Sequence, residues 1–225
     1  MTLFDLKPFT IVGTVSQTET LKRALVDSSF LAAADLVELR LDETMDLDEA
    51  YELCTQIRQQ KPILLTIRTQ HEGGTWTISE EDRYQLFLRF APVVDCYDIE
   101  LKSGLFATKK RSDFPKDKVI ISSYHDYVAT PDREEIEAFI RSGQDWQVDV
   151  VKLALTAEKE EDVVILEEIL ADSSAELCLI AMSAIGARSR KEFPAKGSLL
   201  TYGYLDESVA PGQFSAVELA EYLKA

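Results

Sequence analysis

The sequence predicts an α/β protein, a (β/α)8 TIM barrel forming a single domain over residues 1–225, on three observations. Eight short runs rich in β-branched residues recur along the chain, and stretches with helical spacing separate most of them. Several runs are apolar almost throughout, as in IIS at 120–122 and DVVKLAL at 149–155, which a parallel strand buried on both faces requires. The fingerprints GxGxxG and GxxxxGK[ST] are both absent, which lowers the rival, a doubly wound open sheet.

Taken in order, the strand-like runs are Phe9 to Val15, Leu36 to Leu41, Ile63 to Thr69, Cys96 to Leu101, Val119 to Tyr124, Val148 to Ala154, Leu177 to Met182 and Leu199 to Tyr202. Between the second and third, Leu47, Ala50, Tyr51, Cys54 and Ile57 share one helical face. Between the third and fourth, Tyr84, Phe87, Leu88 and Ala91 do the same. A helix around Ile136, Phe139 and Ile140 is punctuated by Thr130 as N-cap, Pro131 in the first turn and Gly143 as a C-terminal stop. Ser79 with Asp82, and Ser215 with Glu218, have capping-box spacing. The weakest helix signal lies between the fourth and fifth strands, in KSGLFATKKRSDFPKD.

Composition narrows the chemistry. With 225 residues the chain is long enough to bury roughly 70% of the surface its unfolded form exposes, without disulfide or metal. The net charge of −16 repels phosphate backbones and anionic lipid, so neither nucleic acid nor membrane is expected as a partner. No apolar run approaches the ~18 residues of a membrane span. The N-terminal segment lacks a basic region and a long apolar core, so no signal peptide is expected. Two histidines and three scattered cysteines, Cys54, Cys96 and Cys178, argue against a metal site or a disulfide framework and for a reducing cytoplasm. No metal and no cofactor are expected.

The informative residues are polar ones inside buried-looking strands. Because side chains alternate along a strand, Glu38 and Arg40 share a face in VELRLD, as do Asp98 and Glu100 in YDIEL. Arg68 ends the apolar run in LLTIRT, His125 falls just past the end of its strand, Lys152 interrupts VVKLA, and Met182 ends another strand before a loop carrying Arg188 and Arg190. In a parallel barrel the C-terminal strand ends converge on one mouth, where active sites are built. Each residue also has a bland reading. Glu38 and Arg40 can be a structural ion pair, and for Asp98 and Glu100 the reading as barrel-filling partners of Arg or Lys leads. His125 can be a hydrogen-bonded loop residue, and Glu72-Gly73-Gly74 an ordinary turn. A bland reading of Lys152 requires a dedicated carboxylate partner, because buried charges are rarely unpaired.

Lysine chemistry supplies the functional reading. Burial and neighbouring cations favour a neutral amine, which attacks a ketone to form an imine, an electron sink that acidifies the adjacent C–H. Arg40, Arg68 and Arg190 are the candidate cations. His125 is the candidate acid/base, with His71 the only other histidine. The arginines point to a small carboxylate substrate.

These segments, in order, resemble the type I 3-dehydroquinate dehydratases: VGTVS, VELRLD, LLTIRT followed by EGG, YDIEL, SSYHDY with TP, VVKLA, MSAIGARSR, and TYG followed by APGQ, spanning nearly the whole chain. The resemblance implies a cofactor-free, dimeric (β/α)8 barrel of the shikimate pathway that converts 3-dehydroquinate to 3-dehydroshikimate by syn elimination through a lysine Schiff base. It implies that Lys152 forms the imine, His125 moves the proton and Glu72 orients His125. It also implies that Glu38, Arg40 and Arg68 bind substrate, that Arg190 pairs with its carboxylate and that Gln213 closes over it from a lid, DESVAPGQF. Met182 and Tyr202 match apolar pocket positions. One position departs: where better-known members carry a serine, this chain has Val209, with Ser208 just before it, so the hydroxyl contact is lost or Ser208 or a water substitutes. Two other readings are a class I aldolase, which would want a phosphate loop that Gly186 and Gly203 are too isolated to make, and a non-catalytic acidic binding protein on the same barrel.

Overall fold

The computed structural model describes residues 6, 9–27, 29–41, 45–205, 208 and 213–224. Its elements alternate as the sequence predicts: β1 (Thr10–Val15), α1 (Thr18–Val26), β2 (Leu36–Arg40), α2 (Leu47–Ile57), β3 (Ile63–Thr66), α3 (Glu80–Phe90), β4 (Cys96–Glu100), α4 (Gly104–Thr108) and β5 (Val119–Asp126). They continue with α5 (Arg133–Trp146), β6 (Val150–Thr156), α6 (Glu160–Asp172), β7 (Leu177–Met182), α7 (Ser183–Gly186), α8 (Ser189–Glu192), β8 (Leu200–Tyr204) and α9 (Ala216–Leu223). The strands form one sheet in the order β7-β6-β5-β4-β3-β2-β1-β8, every ladder parallel. The β7–β8 seam closes more loosely. Leu199 N–H donates to the Leu177 carbonyl at 2.7 Å, and Leu179 N–H donates to Ser198 Oγ at 3.1 Å.

Inside the barrel the floor is apolar and the mouth polar. Val12, Leu36, Leu64, Cys96, Ile121, Val150 and Cys178 pack across the lower layers. Toward the strand C-termini, Glu38, Asp98, Glu100, Ser123 and Lys152 replace them and are still buried. A larger apolar shell joins the outer strand faces to α1, α2 and α3, and a second joins them to α5 and α6.

A device at the barrel floor repeats three times. Asp35, Asp95 and Asp149 each stand one residue before an even-numbered strand. Each side chain accepts a hydrogen bond from a backbone N–H of the preceding strand: Ile11 at 3.0 Å, Ile63 at 3.0 Å and Ile120 at 2.8 Å. In return, each aspartate N–H donates to the carbonyl of that same residue at 2.8–2.9 Å. The pairs stitch β1–β2, β3–β4 and β5–β6 together where the ladders begin. Scattered aspartates give no periodic signal in the sequence, so this twofold-strand repeat escapes inspection.

Helix ends follow local chemistry, with one correction. Ser79 accepts from Asp82 N–H at 3.1 Å, and Ser215 and Glu218 form the full reciprocal box, each cap contributing about 1 kcal/mol. For α5 the cap is Asp132, accepting from Glu135 N–H at 2.9 Å, and not Thr130. Thr130 instead donates its hydroxyl to the Thr156 carbonyl at 2.9 Å, tying the loop to the end of β6. Nor does Gly143 stop the helix. It lies inside α5 because a Cβ there would come within 2.5 Å of Val151 Cγ2, so glycine permits close packing, and Gln147 takes the left-handed cap. The segment with the weakest helix signal forms only the five-residue α4 and a short 3-10 turn, 111–113.

Asp149→Ala removes one stitch and strands the Ile120 N–H. It should lower the urea-unfolding free energy by about 1–3 kcal/mol at unchanged denaturant slope, leaving the far-ultraviolet circular dichroism as in wild type.

Candidate active site

Strand register brings the polar residues together. Ser123 on β5 lies opposite Lys152 on β6 and Glu100 on β4, and Thr66 on β3 opposite Asp98 on β4. All therefore point into the barrel at neighbouring heights. The cavity at the mouth is lined by Glu38, Arg40, Arg68, His125, Lys152, Met182, Arg190, Tyr202 and Gln213, which are nine of the expected site residues. Thr14, Tyr127, Ala154 and Ile180 complete the lining. Glu72 stands one layer behind, and Ser208 is exposed and outside the lining. Val209 and most of the expected lid, 206–207 and 209–212, lie outside the described residues.

Lys152 is 4% exposed. Its Nζ lies 3.0 Å from Asp98 Oδ2 and 4.0 Å above the centroid of the Tyr202 ring. The dedicated carboxylate that a bland reading of Lys152 requires is thus present. Asp98 does more than pair with it: Oδ1 meets Arg68 Nη2 at 3.0 Å and accepts from Ser123 Oγ. Burial alone would raise the Asp98 carboxyl, but the charges of Arg68 and Lys152 override it and hold the group well below the usual carboxylate range. Asp98 therefore stays ionised and is a poor proton acceptor.

Arg68 also meets Glu100 at 3.0 Å, and Glu100 in turn pairs with Arg83, a fully buried arginine reaching in from α3. Arg83 Nε also donates to the Ile67 carbonyl at 2.8 Å. The apolar helix face read from the sequence is accordingly corrected. The residues of α3 that face inward are Phe87, Phe90 and the charged Arg83, while Leu88 is only partly buried. Helical spacing counts apolar residues, so a buried cation on the same stripe carries no signal.

His125 lies within β5, not beyond its end, because the strand continues to Asp126. Its Nδ1 is 2.8 Å from Glu72 Oε2, and its backbone N–H donates to the same oxygen at 2.9 Å. The turn that presents Glu72 needs its glycines. Gly73 has φ +85°, and a Cβ on Gly74 would overlap the Arg68 carbonyl. Burial, together with the positive charges of Arg68 and Lys152, pushes the His125 imidazole well below its ordinary value. Burial also pushes the Glu72 carboxyl up, against the pull of Arg68. The imidazole is held neutral, and Nε2 is the ring nitrogen left for a ligand.

Glu38 is held by hydroxyls: Thr66 donates to one oxygen at 2.7 Å and Thr14 to the other at 2.8 Å. The structural ion pair with Arg40 that a bland reading allows does not form among the described residues. Arg188, on the same loop as Arg190, makes surface ion pairs with Glu160, Glu167 and Glu192. Arg190 differs from both. It is 4% exposed, burial pushes its guanidinium down to about 10, and no carboxylate pairs with it among the described residues. Its Nη1 donates to the Tyr202 carbonyl at 3.2 Å, and its Nε has no partner among the described residues. A buried, unpaired guanidinium is costly unless an anion joins it.

A family model described as type I 3-dehydroquinase matches residues 14–225. A 3-dehydroquinate dehydratase of Methanocella arvoryzae is 33% identical over 217 residues, 96% of each chain. Another, of Methanothrix thermoacetophila, is 35% identical over 194 residues, 85% of this chain and 81% of that one. Among solved structures, the 3-dehydroquinate dehydratase of Aquifex aeolicus superposes with a TM-score of 0.80 at 32% identity, over 96% of this chain and 98% of its own.

Glu100→Gln should be the most destabilising conservative change near the mouth, because it leaves two buried arginines short of a partner. The expected loss is about 3–5 kcal/mol, read by urea denaturation, and a loss near zero would mean that the network contributes nothing to folding.

Proposed function

The chain belongs to the type I 3-dehydroquinase family, and from that premise we propose that it dehydrates 3-dehydroquinate to 3-dehydroshikimate through an imine on Lys152. The supporting observation is that one cavity holds a buried lysine, a histidine kept neutral and a buried arginine with no anion. In this reading the substrate carboxylate joins Arg190 and fixes the ring with its ketone at Nζ. Counted from the ammonium, attack and dehydration give an iminium and water: two of the three ammonium protons leave with the carbonyl oxygen, and the positive charge stays at nitrogen. Asp98, ionised beside that nitrogen, serves the iminium as it serves the ammonium.

His125 then takes a proton from the adjacent carbon, and the C–H electrons move into the iminium to give an enamine. For this the Glu72 carboxylate accepts the Nδ1–H, which leaves the Nε2 lone pair free as the base. The enamine expels the β-hydroxyl, which takes the proton back from His125 and departs as water, so one histidine serves both halves of a syn elimination. A second water hydrolyses the imine. Glu38, Arg40 and Arg68 shape the ring's polar wall, Met182 its apolar one, and Gln213 covers the mouth.

The same reading makes the whole chain, 1–225, one catalytic domain, working as a homodimer in the shikimate pathway that leads to chorismate and aromatic amino acids. It places the enzyme in the cytoplasm, where three free, buried cysteines would stay reduced. No helix among the described residues is long and apolar enough to cross a membrane.

Borohydride added during turnover should trap a covalent adduct on Lys152, located by peptide mass. Turnover without an adduct would remove the imine from the mechanism. Arg190→Met should lower kcat/KM about tenfold to a hundredfold, as expected for a hydrogen bond to a charged group, while Tm holds or rises, since an unpaired buried charge is lost. For pH, a lowered imidazole pKa keeps the base form present at lower pH. Turnover should therefore persist as pH falls through 6.5 and decline only below it, and an acid limb centred above 6.5 would contradict a neutral His125.

A further inference from the structure

The proposed steps leave the Tyr202 hydroxyl unused, although Tyr202 lines the cavity. Tyr202, on β8, is 4% exposed, and its ring lies under Lys152 Nζ at 4.0 Å. Its hydroxyl is buried and has no hydrogen-bond partner among the described residues. Leaving a hydroxyl in that state is unfavourable, and phenylalanine would avoid it while filling the same space and keeping the cation–π contact. The carboxylates on the same inner wall are already engaged, Glu38 by Thr14 and Thr66, and Asp98 by Ser123, Arg68 and Lys152. Among the described residues no acceptor meets the phenol, which leaves it a donor for an acceptor that enters the cavity.

We infer that the Tyr202 hydroxyl donates a hydrogen bond to the oxygen of the ketone that Lys152 attacks. The inference rests on the imine reading above. The carbon attacked becomes bonded to Nζ, so its oxygen ends two bonds from that nitrogen, within reach of a phenol whose ring Nζ overlies. Negative charge develops on this oxygen as the C–N bond forms, and a preorganised donor in a water-poor cavity is then worth more than in the ground state. The phenol loses no proton. The oxygen gains the protons released from nitrogen and leaves as water, with the phenol O–H directed at it throughout. Burial holds the phenol well above its ordinary value, which suits a donor and disfavours a base. Tyr202 is then a catalytic residue of imine formation, whereas the resemblance treats its position only as apolar lining.

The test is Tyr202→Phe, with three readings on the same protein: Tm, steady-state kinetics and the rate of borohydride-trapped adduct in a single turnover. The expected result is a Tm equal to or above wild type, with kcat and the adduct-forming rate both down about a hundredfold, as for loss of one oxyanion donor, and KM close to wild type. An unchanged adduct rate overturns the proposal. So does a raised KM at unchanged kcat, which would place the hydroxyl on a non-reacting part of the substrate, and so does a lowered Tm, which would make its role packing. If wild-type protein turns over without an adduct, the imine reading itself fails and this inference with it.

Discussion

The mouth of the barrel depends on one constraint: two carboxylates and three cations are buried together, and each must be neutralised inside the protein. Asp98 meets Lys152 and Arg68, Glu100 meets Arg68 and Arg83, and every member is at least nine-tenths buried. Removing one partner would leave an uncompensated charge in a medium where water cannot screen it. The network therefore ties β3, β4 and β6 to one another and to α3. It sets the position of Lys152 as firmly as the ladders do.

That constraint redistributes the charge expected at the mouth. Four cations there suggest a strongly positive cavity, but Arg68 and Lys152 are balanced by Asp98 and Glu100. The attraction for an anion falls mainly to Arg190, whose guanidinium has a backbone carbonyl and no carboxylate for company among the described residues. On the proposed reading, a protein of −16 net charge would hold an anionic ligand at this single buried point. The same burial acts on His125 and Glu72, which are pushed toward their neutral forms in direct contact. The proton machinery is kept apart from the ionic one, although both share the neighbourhood of Arg68.

Much of the fold was legible because it is periodic. Eight apolar runs and the helical stripes between them locate every strand, and the interrupting residues Lys152, Glu38 and Asp98 stand out because they violate the pattern. What escaped was aperiodic or long-range. Arg83 hides on a helix stripe that reads as apolar, the Asp35, Asp95 and Asp149 stitches lie in loops, and Thr14 and Thr66 are ordinary strand residues until they meet Glu38. Thr130 and Gly143 misled because capping and stop signals are local, whereas the loop's tie to Thr156 and the close approach of Val151 come from other strands.

The sequence by itself determined the alternation of strands and helices, the parallel sheet, and which residues are candidates for chemistry, since each of these follows from side-chain type and spacing along one segment. Only the tertiary structure decided who pairs with whom. Lys152 and Asp98 are 54 positions apart, and His125 and Glu72 are 53 apart. Their partnerships arise from barrel register and from the exclusion of water, neither of which any local window of sequence contains. The same holds for what is left unpaired: that Arg190 Nε and the Tyr202 hydroxyl lack a partner among the described residues is a property of the closed barrel and of no local stretch of sequence.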